Sequence, residues 1–330
     1  MRMNRWSDRL RVMGAALLAS CVISPCAVAA EGSFERTLKV TGPVELEVTT
    51  GSGSINVTTG DSSTVQIRGT IRTSHGWRFD EATAENRVRA LESNPPVDQN
   101  ANFIRVGHIE DRSLTRNISI NYDLVVPAAT RLRAETGSGS ESIAGLRGPV
   151  RVKTGSGNLR IEDIGDELHA DTGSGDIEVH AVNGRLYAST GSGPIRATGI
   201  AGAFVVTTGS GDVRLEQTGS GEGRVETGSG TLELRGLRGA LHAKAGSGSI
   251  TADGDLDGDW SLETGSGNLT VRVPSQAAFN LEAHTSSGRI TSAHDVTVQG
   301  TIGRNELRGR VGQGGFRLDL HTGSGNIHIE

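Results

Sequence analysis

The sequence contains few of the side chains that usually hold a globular domain of this size together. Of its 330 residues, only 3% are aromatic, 8 are proline and 2 are cysteine. The two cysteines, Cys21 and Cys26, lie near the N-terminus, so the rest of the chain has no disulfide framework. A thick aromatic core is thereby excluded. Stability must come from backbone hydrogen bonds and from stacked small and branched side chains.

An excess of charge of one sign is also missing. The chain has 33 Lys and Arg against 38 Asp and Glu, a formal net charge of -5, and the two signs are interspersed. Nucleic-acid binding depends on a basic stripe, and binding to an anionic membrane depends on a polybasic cluster. We therefore expect no nucleic acid among the partners, and contact with a membrane only through a possible lipid anchor. The other partners predicted are cell-envelope components, glycans or proteins.

The only long apolar run is at the N-terminus. Several arginines precede an apolar run over residues 12–23, and small residues follow, which is typical of an export signal. Cleavage after Ala29 or Ala30 would make residues 1–30 a signal peptide. Alternatively, the residues ending at Cys21 resemble the bacterial lipobox, in which that cysteine carries a lipid. Either route predicts export to the periplasm, the outer membrane or the cell surface.

Glycine is abundant, with 47 residues, and much of it belongs to one repeated motif. From the second copy onward the copies follow one another at intervals of mostly 18 or 19 residues, which indicates a stacked structural unit. The motif TGSG begins at Thr50, Thr136, Thr154, Thr172, Thr190, Thr208, Thr227, Thr264 and Thr322, with variants AGSG at Ala245 and TSSG at Thr285.

Apolar and polar residues alternate on both sides of each motif. Around Thr154, for example, Val150 and Val152 precede the motif and Leu159 and Ile161 follow it, with charged residues between them. This period of two predicts a strand on each side of a tight TGSG corner, with one face inside. A second turn, which is often rich in glycine, closes the unit.

These observations predict an all-β fold, a parallel β-solenoid with coils of about 18 residues stacked in register. An antiparallel meander is the alternative, but it would need another layer to cover its apolar face. We expect residues 31–127 to form N-terminal strands with a helical insertion. Residues 128–330 should form the TGSG-repeat solenoid, continuous with the preceding segment.

One short helix is predicted among the early strands, over Glu81 to Ser93. Asp80 is a suitable N-cap, and two prolines after Asn94 end the helix. The helix is expected to cover an end or a side of the sheets with an apolar stripe formed by Phe79, Ala84, Val88 and Leu91.

Two departures from the period mark possible special regions. The segment from Val126-Pro127 to Ala134 resembles the segment from Val273-Pro274 to Ala283, so the module is expected to restart near residue 273. A Gly/Arg-rich excursion over residues 300–315 then interrupts the last rung, which resumes at Phe316. The excursion is predicted to be a surface hairpin.

With strands flanking TGSG, a helix between the early strands and repeated rungs to the last residue, the chain resembles the bacterial putative-adhesin family of exported β-strand-repeat proteins. The resemblance covers about residues 34–330. It implies a right-handed β-helical fold and an exported or envelope-associated protein of unknown function. It provides no catalytic residues that could be assigned to this chain.

Few residues suggest a chemical site, and we expect no catalytic residue and no cofactor. The TGSG turns lead into strands, whereas a phosphate-binding loop leads into a helix. An Asp-rich turn resembles a calcium loop but has Thr264 at the twelfth position, with Glu263 one residue early. Its candidate metal ligands are Asp253, Asp255, Asp257 and Asp259.

The leading functional hypothesis is a non-catalytic exported β-solenoid that acts as an adhesin-like or envelope scaffold or binding protein. A polysaccharide-active β-helix enzyme is an alternative, with Glu162 and Glu216 as the carboxylates to test. A further alternative is an envelope-stress accessory protein.

Overall fold

The structure is a computed structural model that describes residues 31–73, 81–111, 113–298, 303 and 305–330. About two thirds of this part is strand, and it contains one helix, α1 (Glu81–Ser93). The strands form two long sheets. Sheet A contains β1 (Glu31–Lys39), β3 (Ile55–Thr59), β4 (Thr64–Thr73), β7 (Ile118–Val126), β9 (Glu141–Ala144), β11 (Leu159–Ile164), β13 (Ile177–Val182), β15 (Ile195–Ile200), β17 (Val213–Gln217), β19 (Leu232–Arg238), β21 (Ile250–Asp255), β23 (Leu269–Arg272), β25 (Ile290–Ser292) and β29 (Ile327–Ile329).

Sheet B contains the strands that lead into the TGSG corners, together with a few short strands at its two ends. They are β2 (Val44–Ser52), β5 (Val97–Asn100), β6 (Phe103–Val106), β8 (Thr130–Ser138), β10 (Val150–Ser156), β12 (Leu168–Ser174), β14 (Leu186–Ser192), β16 (Phe204–Ser210), β18 (Gly223–Ser229), β20 (Leu241–Ser247), β22 (Trp260–Ser266), β24 (Phe279–Ser287), β26 (Val296–Val298), β27 (Glu306–Val311) and β28 (Arg317–Ser324).

The coils stack in parallel and in register, so the predicted β-solenoid is confirmed. Thr154 of β10 lies beside Thr136 of β8 on one side and Thr172 of β12 on the other. Leu159 of β11 likewise lies beside Ile177 of β13 in sheet A. An antiparallel meander is therefore wrong for the body of the chain. Antiparallel pairs occur only near the two ends of the sheets in the described residues.

The core is a thin layer between the two sheets. Val150, Val152, Leu159 and Ile161 are all at most 2% exposed, as the alternation predicts. The same positions are buried in coil after coil, and together they form one continuous apolar cluster. Trp260 is buried with the others, and its indole N–H donates to the carbonyl oxygen of Gly239 at 2.9 Å.

The glycines of the TGSG corner are required because successive coils approach each other very closely there. A methyl group added to Gly155 would lie 2.5 Å from the carbonyl oxygen of Gly137 in the previous coil, and one added to Gly157 would lie closer still to Gly139. Backbone atoms cannot yield to such a contact. The repeated motif is therefore the corner of a coil.

The first residue of the motif ties each corner to a neighbouring coil. In the copies that begin with Thr from Thr136 onward, its hydroxyl donates to the carbonyl oxygen of the last glycine in that coil's corner, at 2.8 to 3.2 Å. The Thr50 hydroxyl donates instead to the carbonyl oxygen of Ile120, at 3.0 Å. Ala245 interrupts this series because it has no hydroxyl, although it is just as buried. Each bond satisfies a carbonyl oxygen in a corner, so a structural role accounts for the threonine at this position of the motif.

One TGSG copy that the period does not predict, Thr218 to Gly221, lies in a second turn between β17 and β18. The buried side chain of Gln217 organises this turn. Its amide group donates to the carbonyl oxygens of Gly202 and Gly221 and accepts from the Arg238 N–H, at 3.0 to 3.3 Å. The same tetrapeptide therefore forms either corner of a coil, and its position in the period determines which.

The first and last coils are inserted into the stack. The N-terminal coil, β2 and β3, lies between β6 and β7 on its outer side and β8 and β9 on its inner side. The C-terminal coil, β28 and β29, lies between β22 and β23 on one side and β24 and β25 on the other. The two resembling segments, at Val126-Pro127 and Val273-Pro274, are where the chain passes over these coils.

The prediction for the last rung is therefore wrong. β24 and β25 complete one coil before the excursion. After the excursion, β28 and β29 form another coil, which lies between the β24–β25 coil and the rest of the stack. The excursion is only partly within the described residues. Its β27 pairs antiparallel with both β24 and β26, forming the predicted hairpin at the end of sheet B.

The helix has the predicted bounds and covers the opposite end. Ala84, Val88 and Leu91 are buried, and Glu92 accepts a hydrogen bond from the backbone N–H of Ser33 on edge strand β1 at 2.9 Å. Asp80 and Phe79 lie outside the described residues. Covering an edge strand protects unpaired backbone groups from further strand pairing.

Candidate functional site

The outer faces of both sheets have charged columns that run along the stack. Many of their ion pairs join neighbouring coils, for example Arg160 to Glu178 at 2.9 Å and Lys244 to Glu263 at 3.0 Å. These pairs are solvent-exposed, so each contributes at most about 1 kcal/mol. Structural ladders of this kind explain most outward charges, which makes the exceptions informative.

A groove on the outer face of sheet B is the first exception. It has a volume of about 330 Å³ and crosses β2, β8, β10 and β12. Arg131, Arg133, Arg151 and His169 line it together with three carboxylates, those of Glu45, Glu47 and Glu167. A second depression of about 420 Å³ shares Arg131 and continues to Arg147 at the edge of the coils. An elongated ligand could lie along both.

Two arginines in the groove lie directly opposite each other. Arg133 and Arg151 occupy paired positions on β8 and β10, where like charges are destabilising. The Arg133 guanidinium is neutralised by Glu135 at 2.7 Å. Arg131 and Arg151, in contrast, make no ion pair with any described residue. The groove therefore presents two cations that the described part of the protein leaves without a counter-ion.

An aromatic pair borders the groove. The rings of His169 and Tyr187 stack with centroids 4.3 Å apart and planes 19° apart. Glu167 bonds to the His169 ring, and Arg185 donates to the Tyr187 hydroxyl at 3.0 Å. Because each ring covers a face of the other, this pair forms a rigid wall beside the groove and offers little open ring surface.

A second groove, of about 390 Å³, lies on the outer face of sheet A. Its lining includes Arg196 and Arg214, which are also directly opposite each other on β15 and β17. Arg214 pairs with Glu233 at 3.0 Å, whereas Arg196 makes no ion pair with any described residue. This groove has one unpaired arginine compared with two in sheet B, so the sheet B groove is the stronger candidate for an anion.

The two carboxylates proposed for an enzyme do not form a pair. Glu162 and Glu216 lie on the same face of sheet A but three coils apart, which places them roughly 14 Å apart at the usual strand spacing. Paired glycosidase carboxylates are only about 5 to 9.5 Å apart. Glu162 is also in an ion pair with Arg160 at 2.6 Å.

The Asp-rich turn spreads its carboxylates over different partners. Asp253 pairs in register with Arg272, the Asp255 carboxylate contacts Arg238 at 3.3 Å, and Asp259 accepts the N–H of Arg317 at 2.8 Å. Asp257 follows Asp255 in the same turn. Within the described ranges, no three His, Cys, Asp or Glu side chains are grouped so that they could hold a metal ion.

The groove arginines were not singled out from the sequence. The signal that could have found them is that Arg133 and Arg151 occupy the same place relative to TGSG in consecutive repeats. The possible lipidation residue, Cys21, lies outside the described residues. In the part of the chain that is described, no helix is both long enough and apolar enough to cross a membrane.

The fold and these surfaces define a β-solenoid of glycine-cornered coils that has grooves on its outer faces. Residues 165–330 match the family described as Toastrack DUF4097, which is half of the chain. The chain belongs to this family, as the sequence resemblance to putative adhesins of unknown function predicts. A comparison with curated proteins finds no match.

Among solved structures of low similarity are three that are described as putative adhesins or cell adhesion proteins. A putative cell adhesion protein from Clostridium sporogenes ATCC 15579 is 10% identical, with coverage of 91% of this chain and 99% of that chain and a TM-score of 0.22. A putative adhesin from Bacteroides fragilis NCTC 9343 is 13% identical, with 91% and 97% coverage and a TM-score of 0.32. A putative adhesin from Parabacteroides distasonis ATCC 8503 is 8% identical, with 90% and 97% coverage and a TM-score of 0.27. Scores this low carry no argument about function.

Proposed function

We propose that this chain is an exported, non-catalytic binding scaffold of the adhesin type, and that the sheet B groove holds an acidic polysaccharide of the cell envelope or cell surface. The observation that carries the proposal is the pair of unpaired cations, Arg131 and Arg151, in an elongated groove on a regular sheet. Guanidinium groups bind carboxylate and phosphate oxygens through paired hydrogen bonds.

The shape of the groove favours a polymer over a small metabolite. It is shallow and open, and it continues from one depression to the next through Arg131. Small-molecule sites are instead concave pockets that bury most of the ligand. In-register coils also repeat their outward positions at the strand spacing, so several anionic units of one chain can be contacted in sequence.

Binding to polygalacturonate, a polymer of acidic sugars, tests the proposal against dextran, a neutral polymer of similar size. The mature protein should bind polygalacturonate, and the R131Q/R151Q variant should lose about tenfold in affinity, because two exposed charge contacts together contribute about 1.4 kcal/mol. Arg224→Gln is the matched control, since Arg224 is an outward residue of sheet B that is ion-paired with Glu226 outside the groove. Equal binding to dextran, or an equal loss in the control, would contradict the proposal.

The exported state is part of the same proposal and rests on the sequence of residues 1–30 alone. The intact mass of the protein isolated from its native host distinguishes the two routes. A chain that begins near Glu31 indicates ordinary cleavage, and a chain that begins at Cys21 with added lipid mass indicates an anchored protein. A mass that includes residues 1–30 unmodified would contradict export.

A further inference from the structure

Two adjacent histidines lie where the C-terminal coil, β28 and β29, meets the terminal coil, β24 and β25. His284 of β24 and His321 of β28 are directly paired in register on the outer face of sheet B. Their rings are nearly parallel, 9° apart, with centroids separated by 5.2 Å. They lie at the opposite end of sheet B from the arginine groove, so this feature is independent of the proposed polysaccharide site.

The described residues provide no partner for the nitrogens of these two rings. Neither His284 nor His321 makes a hydrogen bond to another described residue, whereas His180 bonds to Thr198 at 2.7 Å and His328 bonds to Thr291 at 2.8 Å. His321 is exposed and His284 is half-buried, so solvent and ions can reach both. Two neighbouring imidazoles with free nitrogens are a chelating arrangement for borderline metal ions.

Carboxylates continue the same column on both sides. Glu263 of β22 pairs in register with His321, and Glu306 of β27 lies opposite His284. Glu263 contacts Lys244 at 3.0 Å and Glu306 contacts Arg308 at 2.7 Å. Both carboxylates already have a cationic partner, so we expect neither of them to be a metal ligand.

From this arrangement we infer that His284 and His321 together bind one divalent transition-metal ion, with Cu²⁺ favoured over Zn²⁺ and Ni²⁺ by the general order of affinities. The protein supplies two imidazole nitrogens, and water fills the remaining positions. Two nitrogens bound to one ion at about 2.0 to 2.1 Å lie no more than about 4.2 Å apart. The exposed rings must therefore tilt toward each other, and metal binding ends their parallel stacking.

The ion would join β24 to β28 and so hold the inserted C-terminal coil against the coil outside it. Any ligand that binds only the folded state stabilises it. The expected consequence is a rise in the thermal unfolding temperature with added metal, and this rise depends on both histidines.

Calorimetric titration of the mature protein, prepared without a polyhistidine tag, tests the inference with CuCl₂ and ZnCl₂. One equivalent of Cu²⁺ should bind, and H284Q and H321Q should each weaken binding by at least about tenfold. His242→Gln is the matched control because His242 is outward on the same sheet but has Arg224 and Ser261 beside it. Circular dichroism of the metal-free variants checks that they fold as the parent does.

A spectroscopic measurement separates this site from adventitious binding. Electron paramagnetic resonance of the Cu²⁺ complex should show two nitrogen donors in the parent chain and fewer in H284Q. Unchanged affinity in both histidine variants, an equal loss in the His242 control, or a complex without two nitrogen donors would overturn the inference.

Discussion

The core contains a buried carboxyl group, that of Glu141, and replacing it is the most informative perturbation. Glu141 is 1% exposed and lies in sheet A between Ile55 and Leu159, at a position where other coils place Leu, Ile or Val. Neither of its carboxylate oxygens makes a hydrogen bond. Burial, aided by the negative charge of Glu135, raises the pKa of Glu141 to about 8, and the nearby Thr136 N–H offsets only part of this increase.

The pH dependence follows from comparing the two states. Between pH 4.5 and 8 the unfolded chain has lost this proton while the folded chain keeps it, so the folded state binds more protons and its stability falls as the pH rises. Below that window the group contributes no pH dependence, and above it the loss is complete. At about 1.4 kcal/mol per pH unit, the shift from 4.5 to about 8 corresponds to an upper limit of about 5 kcal/mol.

Replacing Glu141 with Leu should therefore stabilise the protein in a pH-dependent way. Urea unfolding at pH 5 and pH 8 gives the measurement. The gain in unfolding free energy of Glu141→Leu over the parent should be larger at pH 8 than at pH 5, by up to about 3.5 kcal/mol. Glu141→Gln, which cannot ionise, is the control and should lose the same pH dependence with a smaller overall gain. The reasoning is refuted if the parent and both variants change equally between the two pH values.

The remaining predictions test the corners of the coils by urea unfolding. Ala245→Thr should stabilise the protein by about 1 kcal/mol, because it restores the missing hydroxyl bond to Gly230; no gain would contradict the role of the threonine series. Ala181 has a left-handed φ of 57°, so Ala181→Gly should stabilise by about 0.5 to 1 kcal/mol, and a loss would show that the turn is unstrained. Gly155→Ala should destabilise by about 3 kcal/mol through contact with Gly137, whereas a neutral effect would contradict close packing of the coils.

The repeat made most of the fold predictable from sequence. Because each TGSG corner is fixed by close backbone contact, as at Gly155, its spacing records the coil length directly. The bounds of α1 were predictable for a similar local reason, since its stop signal follows Ser93 immediately. Local chemistry at these positions determines local structure.

The order of the coils in space could not be predicted in the same way. Thr322 lies between Thr264 and Thr285, and any in-register order of these three would satisfy the same alternation of apolar residues. For that reason the pairing of His284 with His321 could not be predicted from the sequence. The burial of Glu141, by contrast, follows from its place five residues after Thr136, an inward position in the other repeats.

The insertion of the first and last coils restricts how such a protein can change in length. Deleting a repeat at either terminus would remove strands that flank an inserted coil, and adding one there would displace them. A whole coil added between β10 and β23 would instead leave both inserted coils and their flanking strands intact. Duplication during evolution, or lengthening by design, is therefore expected to act on the middle of the chain while the two terminal regions stay constant in size.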